Sequence, residues 1–368
     1  MKKLIAISVM LALVTGAVFA QTTISGAVET RFTVISGEFN PDNDPITRAQ
    51  IAAGYVQLNG RNEAGTIGGL IRVRQADTGF HRAFIWWRPI PELRIFLGRD
   101  DDGMFSTGNA LTDWNFHQNG EGFVSVHEWG FWRDVFPGNW DKPGLAISYY
   151  GVENLTLNLV IPAENNTTIE QMFPFGLHLN GEYRIPDVGN ILFSYYGTNN
   201  SWKDIDDPLN QASFGNMGIS FLLTAIPSIR AQLGVSTTPR LYGPTPPIRI
   251  GAAFSWTSGN FGIKARAAYI INYAGKYDAP EDPNEEFTDP MRNCLWFNVM
   301  PHYTIKNVSI RLDIGMEQNR VNTYGVDAIA FWVNPYVVWG NFRGGVLLKG
   351  STNSFWTYSI PILCAFSF

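Results

Sequence analysis

The chain has 368 residues, 45% of them hydrophobic, and a formal charge of -5 at neutral pH. Charged residues make up 16%, against about 25% in ordinary soluble domains, while aromatics reach 14% with 12 Trp and 36 Gly. The acidic balance argues against a nucleic-acid partner, and two cysteines, Cys294 and Cys364, supply neither a disulfide framework nor metal-ligand spacing.

Met1-Lys2-Lys3 and the apolar run Leu4 to Phe19 lead to Val18-Phe19-Ala20. A basic start, an apolar stretch and small residues at the end predict a secretory signal over 1–20, cleaved after Ala20. Removing Lys2 and Lys3 takes the charge from -5 to -7. In the mature part, 21–368, the longest apolar run is near Ile219 to Pro227, and it contains Ser220 and Thr224. No helix there is long enough to span a bilayer. A membrane fate therefore requires a closed barrel, in which every backbone group pairs between strands.

Side chains of a strand point alternately to opposite faces, and that period dominates the chain. Leu155, Leu157, Leu159 and Ile161 alternate with Thr156, Asn158 and Val160. Ile229, Ala231, Leu233 and Val235 alternate with Arg230, Gln232, Gly234 and Ser236. From Pro247 to Asn272 the apolar phase is Ile248, Ile250, Ala252, Phe254 and Trp256, then Phe261, Ile263, Ala265, Ala267, Tyr269 and Ile271 after the turn Thr257-Ser258-Gly259-Asn260. Val308 to Glu317 repeats the pattern, and Trp356, Tyr358, Ile360, Ile362, Cys364, Phe366 and Phe368 carry it to the end.

The strands run roughly nine to twelve residues, the length a tilted transmembrane strand needs. Short turns at Pro89-Ile90-Pro91, Val152-Glu153-Asn154, Pro186-Asp187, Pro227, Ser258-Gly259, Lys306-Asn307 and Gly340-Asn341 alternate strictly with longer polar links at 35–47, 100–143, 162–174, 198–213, 238–246, 274–292 and 318–325. Short turns on one side and long loops on the other are the asymmetry of an outer-membrane barrel. The predicted fold class is all-β: a transmembrane antiparallel up-and-down β-barrel of 16–18 strands, with eighteen the best count. An even count puts both termini on one side.

Parity then divides wall from lumen. Ile71, Val73, Ile85, Trp87, Leu145, Ile147, Tyr149, Phe331, Val333, Val337 and Trp339 fall on the lipid phase, with Trp87 and Trp339 beside short turns where an aromatic girdle belongs. Arg31, Arg72, Arg74, Arg82, Arg94, Arg230, Arg249, Lys264, Arg266, Arg311 and Arg343 share the lumen phase with fewer acids: Glu29, Glu182, Asp313 and Glu317.

The link 100–143 is long for a structureless connection, which is usually functional. It follows the fifth strand, ending Leu97-Gly98-Arg99. On Gly98-Arg99, the loop position and the terminal Phe368, the chain resembles the bacterial general porins. The resemblance covers the whole mature chain in architecture but few residues, and the family's acidic Pro-Glu-Phe-type loop motif is absent. It implies a third loop folded into the lumen as a constriction, a homotrimer, and reading of Phe368 by the barrel-assembly machinery. The constriction would set Asp100, Asp101, Asp102, Asp113, Glu121 and Glu128 of the loop against Arg72, Arg74, Arg82 and Arg94 of the wall. The competing reading leaves the loop extracellular with solvated acids.

Phe84, Trp86 and Phe96 share the phase of Arg82 and Arg94, and are candidates either to stack on a solute or to pack the loop against the wall. The histidines sit in no catalytic or metal motif: His127-Glu128 is followed by Phe131 where H-E-x-x-H requires His. The expectation is therefore a pore without enzymatic activity, cofactor or metal. It would lie in the outer-membrane lipid and pass ions and small hydrophilic solutes by passive diffusion. A channel specific for a sugar or small anion, or a surface adhesin, are the alternatives on the same barrel.

Overall fold

The computed structural model describes residues 21–40, 42–74, 80–99, 144–162, 177–197, 216–237, 248–273, 292–318 and 329–367. All regular structure among them is β. The strands are β1 (Gln21–Glu38), β2 (Ile46–Arg61), β3 (Ile67–Arg74), β4 (Phe80–Ile90), β5 (Leu93–Arg99), β6 (Gly144–Val152), β7 (Leu155–Pro162), β8 (His178–Ile185), β9 (Gly189–Tyr196) and β10 (Asn216–Leu223). The second half adds β11 (Ile229–Thr237), β12 (Ile248–Ser258), β13 (Phe261–Tyr273), β14 (Arg292–Ile305), β15 (Val308–Gln318), β16 (Ile329–Trp339), β17 (Phe342–Gly345), β18 (Leu347–Ser351) and β19 (Ser354–Ser367).

Each strand pairs antiparallel with its neighbours in sequence, and β1 pairs with both β2 and β19, so the sheet closes on itself and leaves no edge. The segments β17 and β18 are one crossing. Gly345 opposes Tyr336 and Leu348 opposes Val333 in an unshifted register. The ladder is interrupted only at Val346, whose N–H donates to the Pro335 carbonyl at 3.0 Å; Pro335 has no N–H to return. The nineteen segments therefore make eighteen crossings, as the periodicity predicts.

Short turns fall where expected, with one more at 62–66. There Asn62 Oδ1 accepts from the backbone N–H of Thr66 at 2.8 Å and of Ile67 at 3.0 Å. Asn154, Asp187, Lys306, Gly65, Gly259 and Gly340 all take positive φ, as tight hairpin turns demand. The alternation is less strict than the sequence suggests. Ser351 opposes Ser354, so β18 and β19 join through a tight turn on the long-loop side.

The outer face is apolar and much of the interior is polar, the reverse of a soluble protein, with aromatic and aliphatic clusters also packed inside. Ile85, Leu97, Ile219, Leu233, Ile310 and Phe366 face outward, more than half exposed, whereas Ser148, Asn158, Asn180, Gln232, Asn298, Asp313, Glu317 and Asn334 are buried. Apolar outer surface is stable only against lipid. Of the predicted lipid-phase residues, Val73, Ile85, Trp87, Tyr149, Phe331, Val337 and Trp339 are exposed and Ile71, Leu145, Ile147 and Val333 are half-buried, all on the outer face. Trp87 and Trp339 form a belt at the short-turn end with Tyr149, Tyr183, Phe261 and Tyr303, and Phe39, Tyr269, Phe331 and Trp356 lie toward the opposite rim. Two such girdles mark the interfaces of the membrane.

Candidate pore lining

The lumen face divides into arcs of different chemistry. The first runs over β2 to β5. Arg72 and Arg82 are cross-strand partners. Arg72 donates from Nε to Gln57 Oε1 at 2.8 Å, and its guanidinium lies 4.3 Å from the Tyr55 ring centre. Arg82 lies 5.7 Å from the Phe84 ring, and Arg94 lies 5.0 Å from Trp86 and 5.7 Å from Phe96. Arg88 lies 6.0 Å from Tyr150. Every one of these cations rests on an aromatic face, which attracts it without neutralising it. The Nε atoms of Arg88 and Arg94 have no hydrogen-bond partner among the described residues. Arg74 is half-buried at the far end of β3.

The three candidate stacking aromatics sit together in this arc. Phe84 and Phe96 meet edge to face at 5.9 Å. With Ala146 and Val160 they form a buried cluster, and Leu70 and Trp86 pack at its margin. Trp86 is half-buried, while Phe96 is 1% exposed and so presents little ring to the lumen. Gly98 makes the close approach of β5 to β4 feasible. Its φ is 134°, and a Cβ there would stand 2.1 Å from the Ala83 carbonyl oxygen.

A second arc spans β13 to β16. Arg266 Nε donates to Asn298 Oδ1 at 3.2 Å, and Asn298 Nδ2 donates to Asp313 Oδ1 at 2.6 Å. An amide thus relays between a buried cation and a buried acid. Arg266 also lies 5.4 Å from Trp296, which is the cross-strand partner of Glu317. The Trp332 ring covers Gly315, where a Cβ would come within 2.0 Å of it, and so separates Asp313 from Glu317. Asn334 opposes Asp313 and is fully buried, with neither amide atom hydrogen-bonded among the described residues. Arg311 donates from Nε to Ser309 Oγ at 3.1 Å and lies 5.9 Å from Tyr336.

Between these arcs, β6 to β11 line the lumen with uncharged hydroxyls and amides: Ser148, Asn158, Asn180, Ser194, Ser220, Gln232 and Ser236, all buried. Asn158 Nδ2 donates to Asn180 Oδ1 at 2.8 Å, and Gln232 Nε2 to Ser220 Oγ at 3.0 Å. Glu182 accepts from Asn190.

The predicted wall cations Arg72, Arg82 and Arg94 are gathered in one arc by the structure, with Arg74 at its far end. Asp100, Asp101, Asp102, Asp113, Glu121 and Glu128, the signal 1–20 and Phe368 lie outside the described residues, as do the side chains of Glu29 and Arg31. Arg88, Tyr55, Tyr150 and Lys349 also line the lumen and escape a reading that takes only the clearest repeats. Arg88 keeps the parity of Arg82, Phe84 and Trp86, so the signal is present.

The closed eighteen-crossing barrel with this polarity is a porin-type transmembrane barrel. No family model and no curated protein matches the sequence. Among solved structures the chain is similar to Pseudomonas aeruginosa OpdL, with a TM-score of 0.59 at 10% identity over 95% of this chain and 99% of that one. A BenF-like porin from Pseudomonas fluorescens Pf-5 aligns with a TM-score of 0.57 at 9% identity, covering 95% and 99%. Salmonella typhi OmpF aligns at 0.50 with 11% identity, covering 94% and 97%.

Proposed function

We infer that this chain forms an aqueous pore across a bacterial outer membrane and passes ions and small hydrophilic solutes by passive diffusion. One observation carries the reading: the closed barrel presents an apolar outer face and turns its arginines, acids, amides and serines inward, among buried aromatic and aliphatic clusters. The fold shared with porins agrees with it. On this reading residues 1–20 direct export and are removed after Ala20, Phe368 is read by the assembly machinery, and the mature chain assembles as a homotrimer. Loop 100–143 folds inward and sets its acids against the arginine arc. The described lumen face carries more Arg and Lys than Asp and Glu, which favours small anions as the better-conducted ions.

Single-channel recording of the refolded protein in a planar bilayer tests the pore. Uniform ohmic steps are expected, with a reversal potential under a KCl gradient on the chloride side. Folded, membrane-inserted protein that conducts nothing would overturn the reading and leave the adhesin.

A further inference from the structure

Below the relay of Arg266, Asn298 and Asp313, toward the short turns, register gathers four basic side chains on the lumen face. Gly262 opposes His302, His302 opposes Arg311, and Arg311 opposes Tyr336. Lys264 opposes Met300, the lumen residue next to His302 on β14. Arg343 opposes Val338, the lumen residue next to Tyr336 on β16. Lys264 and Arg311 are each the fourth residue of their strands, Arg343 is the second of β17, and His302 is the fourth from the end of β14. All four therefore stand near the short-turn mouth. Neighbouring strands lie about 4.8 Å apart, so long Lys and Arg chains on β13, β15 and β17 can converge over the strands between them.

The group is compact and open to the pore. The charges of Lys264 and Arg311 both reach His302, and those of Arg311 and Arg343 both reach Tyr336. Lys264, His302, Arg311 and Arg343 are half-exposed, unlike Arg82 and Arg266, which the wall buries. The His302 ring lies over Gly262, where a Cβ would stand 2.3 Å from it, so the missing side chain lets the imidazole settle against the wall. Tyr336 is buried and forms the floor between the two arginines, with Arg311 5.9 Å from its ring.

The acids of this arc are turned away from the group. Arg311 donates from Nε to Ser309 Oγ at 3.1 Å, and Thr304 Oγ1 donates to the same oxygen at 3.3 Å. These partners are neutral hydroxyls, so the guanidinium is oriented and keeps its charge. The next lumen residue on β15 is Asp313, but its carboxylate is fully buried and accepts from Asn298 at 2.6 Å. Glu317, two lumen positions further along, is buried as well. Three permanent cations thus share one volume of water at the mouth. Like charges held this close repel, and a shared counter-anion relieves all of them together.

We propose that Lys264, Arg311 and Arg343, with His302 beside them, form a binding site for a phosphate dianion at the short-turn mouth. Each arginine offers a planar fork that matches a pair of phosphate oxygens, and Lys264 adds a point charge. A dianion gains from all three cations at once, and a single chloride gains less. Phosphate seated there occupies the water of the mouth and holds back the chloride that would otherwise pass. That consequence rests on the pore reading, whereas the binding itself needs no conduction.

The test pairs two readings on the full mature chain. One is KCl conductance in a planar bilayer with inorganic phosphate added to both chambers, and the other is broadening of the phosphate phosphorus-31 line by the refolded protein in detergent. Wild type should show a saturable block and a broadened line. Arg311→Gln with Arg343→Gln should raise the half-blocking concentration about tenfold or more, as the loss of charge-assisted hydrogen bonds requires, and narrow the line. Arg343→Gln alone is the milder change, should the pair not fold, and should raise it about threefold or more. No saturable response in wild type, or the same response in a folded variant, would overturn the site. Line broadening that the variants abolish, in a wild type that conducts no KCl, would remove the pore and keep the site.

Discussion

The arginine arc of β2 to β5 and the mixed arc of β13 to β16 face the same lumen, yet they handle charge in opposite ways. In the first, guanidinium groups lean on Tyr55, Phe84, Trp86, Phe96 and Tyr150, contacts in which a ring attracts a cation without supplying an opposite charge. In the second, Asn298 ties Arg266 to Asp313 and the charges cancel within the wall. Cations held by rings project a field into the water of the pore. Charges that cancel in the wall contribute cohesion and little field. Selectivity should therefore depend on the first arc and stability on the second.

The largest effect should come from breaking the relay. Asp313→Ala strands Arg266 and Asn298 in a buried site, and removal of one partner from such a set costs about 3 kcal/mol or more. Urea unfolding of the barrel in lipid vesicles should show the loss, while the reversal potential moves little. A large selectivity change without destabilisation would reverse the roles of the two arcs.

Next is Gly98→Ala, which acts on the geometry of the arginine arc rather than its charge. The new methyl would press on the Ala83 carbonyl and on Phe84 Cα, 2.1 and 2.6 Å away, at a φ that L-residues rarely adopt. The strain should cost about 2 kcal/mol and loosen the pairing of Phe84 with β5. Loss of heat resistance in the folded band on electrophoresis would register it; an unchanged band would mean β5 can shift at no cost.

These two arcs also separate what the sequence reveals from what it hides. Parity alone assigns Arg82, Phe84, Trp86 and Arg94 to one face and Ile85 and Trp87 to the other, because a strand has a period of two. The eighteen crossings follow from the same signal with the turn residues. Parity says nothing about height, since each residue's level depends on which neighbour it opposes and on the tilt. That Ser148, Asn158, Asn180 and Ser194 stand in one row across β6 to β9 becomes visible only once the register is known, although each alternates correctly. The relay through Asn298 is hidden for the same reason: Arg266, Asn298 and Asp313 are brought together by pairing across β13, β14 and β15.

A smaller thermodynamic effect, but a clear electrical one, is expected at Arg94. Arg94→Glu replaces a cation held by the Trp86 and Phe96 rings, whose Nε has no hydrogen-bond partner among the described residues, so stability should change by less than about 1 kcal/mol. The reversal potential under a KCl gradient should move toward cations, while Glu317→Gln should move it only slightly the other way. Equal shifts from both would mean the second arc also projects its charge into the pore.

The last change is the most diagnostic of how wet the second arc is. Asn334 is buried, and among the described residues neither of its amide atoms has a partner. If the site is dry, Asn334→Leu removes an unmet polar group of similar volume and should stabilise the barrel by about 1 kcal/mol. That gain is the expected outcome, because Trp332 and Tyr336, its buried neighbours on β16, wall the position in. A loss of similar size would mean that water reaches the amide from the lumen. Asp313, directly opposite, would then sit in a hydrated site, its cohesion with Arg266 would weaken, and the loss expected from Asp313→Ala would shrink with it.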